Sequence, residues 1–463
     1  MKNFRKLSRR QFIGETSCAA VGSTSLFASL LNLRMASTAA AADLGPEDDY
    51  KGLVCLFLQG GNDSFNMLVP NHKDAYGDYA QTRDDLAIPR ENLLPIVSAG
   101  QPFSEFGIHP SMPRLQELYN NQDLAFVANV GTLIRPIEDR DEYNKNGGLR
   151  PSGLFSHSDQ QIHWQTSMPQ IKGASPGGWG GRTADLLQSM NENAQVSMNI
   201  SLSGVNVFQA GNEAFSYISG VEGGTEMVAY TDPFEKAAVD SALERDYKNL
   251  FTSTFAQNTR RFIDSSILFN NAIEDKDISV QPDVISGLTN RMKMIARTIA
   301  AHESLHHKRQ TFFVRSNGWD HHNEVLNAQR VMLSDIDVAI KYFKEAMDEI
   351  GMSDKVVLFT ASDFGRTLTS NGRGSDHAWG GNQFVLGGPV NGGRIFGRYP
   401  PLALNNSLML NRGRIIPTTS VDQYGSELAR WLGVSGGEMD TVFPNIQNFY
   451  DPALITHPLG FLS

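Results

Sequence analysis

The sequence predicts an α/β fold, and three observations predict it. Leu53–Leu58, Thr311–Val314 and Lys355–Ala361 are short apolar runs rich in β-branched and aromatic residues, which read as buried strands. Each runs into a polar segment: Gln59-Gly-Gly-Asn-Asp63-Ser64, Arg315-Ser-Asn-Gly-Trp-Asp320-His321-His322, and the stretch from Ser362-Asp363 to His377. The second and third runs are joined by the amphipathic stretch Glu324–Ile350, closed by Gly351, and strand, helix, strand with short connections marks an α/β core. Open sheets of this class carry their sites beyond the carboxyl ends of the strands, so the three polar segments are expected to meet.

The chain has 463 residues and a formal charge of −10. Its first 42 residues hold six basic side chains against Glu15 alone, so the remainder stands at −15. That field repels phosphate backbones and anionic lipid, which argues against nucleic acid and membrane surfaces as partners. The same first segment passes from a basic start through Ser8-Arg9-Arg10-Gln11-Phe12-Ile13 to a small-residue apolar stretch and Ser37-Thr-Ala-Ala-Ala-Ala42. It resembles a twin-arginine export signal, which sets residues 1–42 apart from the fold and implies the export machinery as a partner and a periplasmic or exported location. Cys18 lies in that segment, leaving Cys55 alone in the remainder, where a buried apolar role is expected. No later stretch has the ~18 consecutive apolar residues that a membrane span requires.

Along the rest, Asn71–Arg90 reads as a charged loop or helix and Phe106–Asn121 as a helix, with Met112, Leu115, Leu118 and Tyr119 at helical spacing. Asp123–Val130 reads as a second core strand. Gly177-Gly-Trp-Gly-Gly181 marks a turn before a helix over Arg182–Met190, and Val196–Leu202 alternates like a strand. Phe234–Ile273 and Val284–His307 are helical in pattern; an irregular and helical cap insertion is expected at about 204–283, within a single domain over 43–463. Gln383–Leu386 and Gly392–Phe396 read as strands, and Ser420–Leu432 as a helix ended by Gly433.

The polar segments hold the candidate chemistry. Asp63 follows Gly60-Gly61 and can either ligate a divalent cation or hydrogen-bond its own turn. Asp320 and His322 are separated by one residue, a spacing that lets both turn toward one ion. Asp363 and His377 bracket a loop with Arg366, Arg373 and Asp376; either arginine can grip an oxyanion with its fork of donors or pair with an acid, and Asp376 can ligate or orient His377. Ser156 is a candidate nucleophile and His157 a candidate ligand or proton carrier.

Leu58-Gln-Gly-Gly-Asn-Asp63, Phe155-Ser-His157 with Gln160, Gly318-Trp-Asp320-His-His322, and Ser362-Asp-Phe-Gly-Arg-Thr367 followed by Gly374-Ser-Asp-His377 resemble the bacterial family known as domain of unknown function 1501. The resemblance covers most of Gly52–Pro444. That family looks like a branch of the alkaline-phosphatase-like superfamily, which also includes arylsulfatases. The resemblance therefore implies a three-layer sandwich, with a mixed central sheet between helical layers, and one or two divalent metals held by Asp and His. By it, Asp63, Asp320, His322, Asp363 and His377 are the metal-type residues, with Asp376 beside them as a further candidate; zinc, manganese and calcium are not distinguished. Ser156, His157, Arg366 and Arg373 are the catalytic candidates. The implied function is hydrolysis of a sulfate or phosphate ester, on a small molecule or a glycan. Phe364 stands where the superfamily enzymes usually carry a second histidine, which leaves open a one-metal hydrolase or a binding or envelope-assembly protein without turnover.

Overall fold

In the computed structural model, residues 49–462 are described apart from 174–176, 193–194, 225–226 and 231; the expected export signal lies outside the described residues. In chain order the central sheet consists of Lys51–Gln59 (β1), Leu124–Gly131 (β2), Asn199–Ser201 (β3), Tyr217–Ile218 (β4), Arg309–Asn317 (β5), Val356–Ser362 (β6), Gly381–Leu386 (β7), Ile395–Phe396 (β8) and Thr419–Ser420 (β9). The helices of eight or more residues are Lys73–Arg83 (α1), Pro113–Asn120 (α2), His157–Thr166 (α3), Trp179–Leu187 (α4), Pro233–Leu243 (α5), Leu250–Ile273 (α6), Gly287–Ala300 (α7), Val325–Glu349 (α8) and Val421–Leu432 (α9).

β1 is apolar on both faces, and this fixes the layering. Val54, Leu56 and Leu58 join one core while Leu53, Cys55 and Phe57 join another, because successive side chains on a strand point to opposite faces. A strand without a polar face has to be covered on both sides. The first core is closed by Leu115 and Leu118 of α2, Met292 and Ile295 of α7, and Leu333 and Ile336 of α8. The second is closed by Ala184 and Leu187 of α4 and by Val421, Leu428 and Leu432 of α9. The result is the expected three-layer sandwich.

The strand order is β8-β2-β7-β6-β1-β5-β3-β4, with β9 also paired to β2. β1 lies parallel to both β5 and β6, in a register that aligns Gln59 with Asn317 and Leu58 with Ser362. β7 runs antiparallel to both β6 and β2, so the sheet is mixed. The parallel trio matters most for function, since it delivers the polar segments after Gln59, Asn317 and Ser362 to one edge. Among the described residues no helix is long and apolar enough to cross a membrane.

Three helical expectations were too long, and the one over Val284–His307 runs only from Gly287 to Ala300. Phe106 lies in the strand Glu105–Ile108, paired with Leu68–Pro70 and Leu94–Val97, and the helix begins only at Pro113. Proline is at home in a first helical turn because it has no N–H to leave unpaired. The stretch 234–273 divides into α5 and α6, since the Asn249 side chain accepts the Thr252 N–H and starts a new helix after a polar interruption.

Candidate metal centre

The site starts from the two glycines that end β1. Gly60 and Gly61 have φ of +122° and +87°, and neither could carry a side chain. A Cβ on Gly60 would lie 2.5 Å from the Asp320 backbone nitrogen, and one on Gly61 2.6 Å from the Phe364 ring. Their absence lets the three strand ends close on one another: the Trp319 N–H donates to the Gln59 carbonyl at 3.1 Å, the Gly60 N–H to Asp363 Oδ1 at 3.1 Å, and the Asn62 N–H to Ser362 Oγ at 2.9 Å. Past Asp363 the chain folds back on itself, with a bridge between Arg366 and His377. The Asp376 and His377 side chains are thereby set beside Asp320 and His322.

Three imidazoles surround the Asp320 carboxylate. His322 Nε2 is 3.0 Å and His377 Nε2 3.3 Å from Asp320 Oδ1, and His157 Nε2 is 3.4 Å from Oδ2. Each ring is anchored through its other nitrogen: His157 Nδ1 to Asp363 Oδ2 at 2.7 Å, His322 Nδ1 to Asp376 Oδ1 at 2.9 Å, and His377 Nδ1 to the Phe155 carbonyl at 2.8 Å. All three anchors can only accept, so every Nδ1 carries the proton and, in the neutral ring, every Nε2 offers a lone pair. His322 Nε2 and His377 Nε2 nevertheless stand 2.9 Å apart, and His157 Nε2 is buried with no hydrogen-bond partner. Two facing lone pairs and a carboxylate repel unless a proton or a metal cation lies between them.

The donor set fits a divalent ion. Nitrogen and oxygen donors held tetrahedrally at ~2.0–2.1 Å from one ion stand about 3.3 Å from each other. The separations of 2.9 to 3.3 Å among His322 Nε2, His377 Nε2 and Asp320 Oδ1 lie near that spacing, and His157 Nε2 stands 3.4 Å from the other oxygen, Asp320 Oδ2. His157, Asp320 and His377 alone offer donor atoms within 4.8 Å of one another, and they form a metal-binding group. Anchoring each imidazole through Nδ1 to a carboxylate or carbonyl is how proteins aim a metal-binding histidine.

Electrostatics keeps the set poised. The hydrogen bond that His157 donates to Asp363 raises His157 above its ordinary value, against the opposing effect of burial. Burial lowers His377, which favours its neutral, ligating form. Burial alone would raise Asp320, but the Arg366 hydrogen bond and charge, with those of His157 and His322, bring it below the usual carboxylate range. Arg366 is fully buried; its Nη1 donates to Asp320 Oδ1 at 2.8 Å and its Nη2 to the Ser375 carbonyl at 2.5 Å.

The structure thus brings Asp320, His377 and His157 to one point, with His322 Nε2 against Asp320 and His377. Asp363 and Asp376 lie one bond further out, on the imidazoles. Asp363 is wholly buried and also receives Gln161 Nε2 at 2.8 Å; Asp376 also pairs with Arg412. Asp63 lies apart, buried in an ion pair with Arg83 at 2.7 Å. Ser156 precedes α3 without capping it, its Oγ 3.1 Å from Ser158 Oγ. Arg373 is exposed, and only its backbone is hydrogen-bonded, to Asn371 and Glu324. Phe364 packs its ring 4.8 Å from the rings of both His157 and His377.

Sequence reasoning missed Arg83, the Phe155 carbonyl, Gln161, Arg412 and Arg414. Phe155 holds a φ of +75°, which turns its carbonyl to His377, and Arg414 braces it, with the guanidinium 4.1 Å over the Phe155 ring and Nε 2.8 Å from the His377 carbonyl.

The chain is similar to several solved structures. One is the lipoteichoic acid synthase LtaP from Listeria monocytogenes, at 9% identity and a TM-score of 0.33, covering 87% of this chain and 76% of that one. Another is the C-terminal periplasmic domain of EcEptC from Escherichia coli in complex with zinc, at 10% identity and 0.29, covering 73% of each. A third is alkaline phosphatase from the Antarctic bacterium TAB5, at 9% identity and 0.25, covering 76% and 96%. These likenesses assign no activity to this chain. No protein with a curated description matches it. The family model described as protein of unknown function DUF1501 matches residues 50–412, and the chain belongs to that family.

Proposed function

We propose that this protein is an exported, metal-dependent hydrolase of a sulfate or phosphate ester. The reading is carried by one observation: His322 Nε2 and His377 Nε2 face each other at 2.9 Å across the Asp320 carboxylate, with both Nδ1 protons already committed. His157, Asp320, His322 and His377 would hold the cation. When bound, a divalent ion there supplies a Lewis acid that polarises an ester oxygen and stabilises developing negative charge.

The chain's own residues do the rest. Asp363, Asp376 and the Phe155 carbonyl hold the three Nδ1 protons in place, and Arg366 fixes the orientation of Asp320. Ser156, beside His157 and free of a capping bond, is the nucleophile this reading puts forward. Arg373, exposed, and Arg414, held through its Nε on the His377 carbonyl, are the cations this reading assigns to the oxyanion of the ester. Residues 1–42 would direct export through the twin-arginine pathway to the periplasm.

A second reading, a binding or envelope-assembly protein that keeps its metal without turnover, is favoured by Phe364, which fills one flank of the centre with an apolar ring. Aryl sulfate and aryl phosphate turnover by the metal-loaded protein separates the two. Hydrolysis lost on His377→Ala, with folding retained by circular dichroism, supports the enzyme; a metallated protein inert on both ester classes supports the alternative.

A further inference from the structure

Asp63 is the acid that the family resemblance assigns to a metal, yet its surroundings do not suit one. The side chains of both Asp63 and Arg83 are fully buried, and Arg83 Nη2 meets Asp63 Oδ2 at 2.7 Å. The same oxygen accepts the Ser375 hydroxyl at 2.9 Å. Arg83 is held from behind, its Nη1 donating to the Thr367 carbonyl at 3.0 Å. A second buried guanidinium lies close by, since Arg366 Nη2 binds the carbonyl of that same Ser375. The neighbouring imidazole, His321, has its Nε2 3.3 Å from Met332 Sδ and its Nδ1 buried without a hydrogen-bond partner.

We infer that the Arg83 guanidinium serves as a built-in cation at Asp63, in the place of a second metal ion, so that the centre is mononuclear. The inference rests on the metal centre proposed above and adds its stoichiometry. A divalent ion at Asp63 would have to displace Arg83 and leave a guanidinium buried without its counter-charge, and buried charges left unpaired are strongly disfavoured. It would also sit among two fixed positive charges, Arg83 and Arg366, with Asp63 Oδ1 as the unpartnered carboxylate oxygen and the neutral atoms His321 Nδ1 and Gln329 Oε1 as the other unpartnered acceptors near Asp63. Among the described residues, the group of three metal-type donors within reach of one another does not include Asp63.

The test is metal content per chain, by elemental analysis and native mass spectrometry, after loading the full protein with zinc or with manganese. One ion per chain is expected. Two ions overturn the inference but leave the hydrolase reading standing, whereas no ion at all overturns both. The Asp63→Asn variant is expected to keep one ion while melting at a lower temperature, and the paired variant Asp63→Asn with Arg83→Met, which removes both charges together, is expected to recover part of that melting temperature with the same single ion. Loss of one ion from a two-ion parent in Asp63→Asn would identify Asp63 as a ligand and refute the inference.

Discussion

Asp363 shows how much a single carboxylate can decide without touching the metal position. It accepts His157 Nδ1 at 2.7 Å, Gln161 Nε2 at 2.8 Å and the Gly60 N–H at 3.1 Å, so it ties one imidazole to the end of β1. Asp363→Asn would offer a donor where His157 needs an acceptor and disturb the tautomer that frees Nε2. Metal affinity is expected to fall about 10- to 100-fold, the usual cost of losing such a support, as read by competition with a chelator of known affinity. Unchanged affinity would mean that His157 is not held for ligation. Asp422, at the start of α9, makes a separate prediction: burial, opposed by the Ser167 hydroxyl, its own N–H and the charge of Arg182, pushes its carboxyl up to about 7. The folded state then keeps a proton that the unfolded chain releases at the ordinary carboxylate value. Its contribution to stability is therefore full at acid pH and lost as pH rises through about 7. Denaturation across pH 4 to 8 should show this decline in the parent and a flatter profile in Asp422→Asn.

At the level of elements, the turn after β1 is where sequence and site are joined most tightly. Gly60→Ala would force a side chain into a φ of +122° and into the Asp320 backbone. The backbone strain alone costs about 1–3 kcal/mol, and relief requires moving Asp320 away from the imidazoles. The expected outcome is a lower melting temperature together with weakened metal binding; a destabilised protein with intact metal affinity would contradict this account of the turn. The three delivering strands were legible because their apolar runs are long enough to be buried on both faces, and their polar ends were legible because acids and histidines rarely follow such runs without cause. The helix α3, which carries His157, was not legible: Ser152–Trp164 mixes polar and aromatic residues with no apolar stripe, so its structure comes from tertiary packing. The split of 234–273 and the strand at Glu105–Ile108 were missed for related reasons, a cap inside a helical pattern and a strand identified only by its partners.

For the molecule as a whole, the architecture was more legible than the site. Hydrophobic periodicity specifies layers and crossovers, and the parallel arrangement of β1, β5 and β6 then places three distant segments on one edge. Periodicity cannot say which of several acids on that edge faces an ion and which faces an imidazole or an arginine. Asp63, Asp363 and Asp376 all carry the right chemistry, and only the fold shows their carboxylates engaged by Arg83, His157 and His322. Acceptors with no sequence signature, such as the Phe155 carbonyl, complete the centre.

X-ray absorption on the metal-loaded full-length protein tests that convergence most directly, because it reads the atoms around the ion without relying on turnover. The account predicts a shell of imidazole nitrogens with one carboxylate oxygen at ~2.0–2.2 Å, showing the outer scattering of several histidine rings and losing part of it in His377→Ala. An oxygen-only shell, or no bound ion in folded protein, would contradict it.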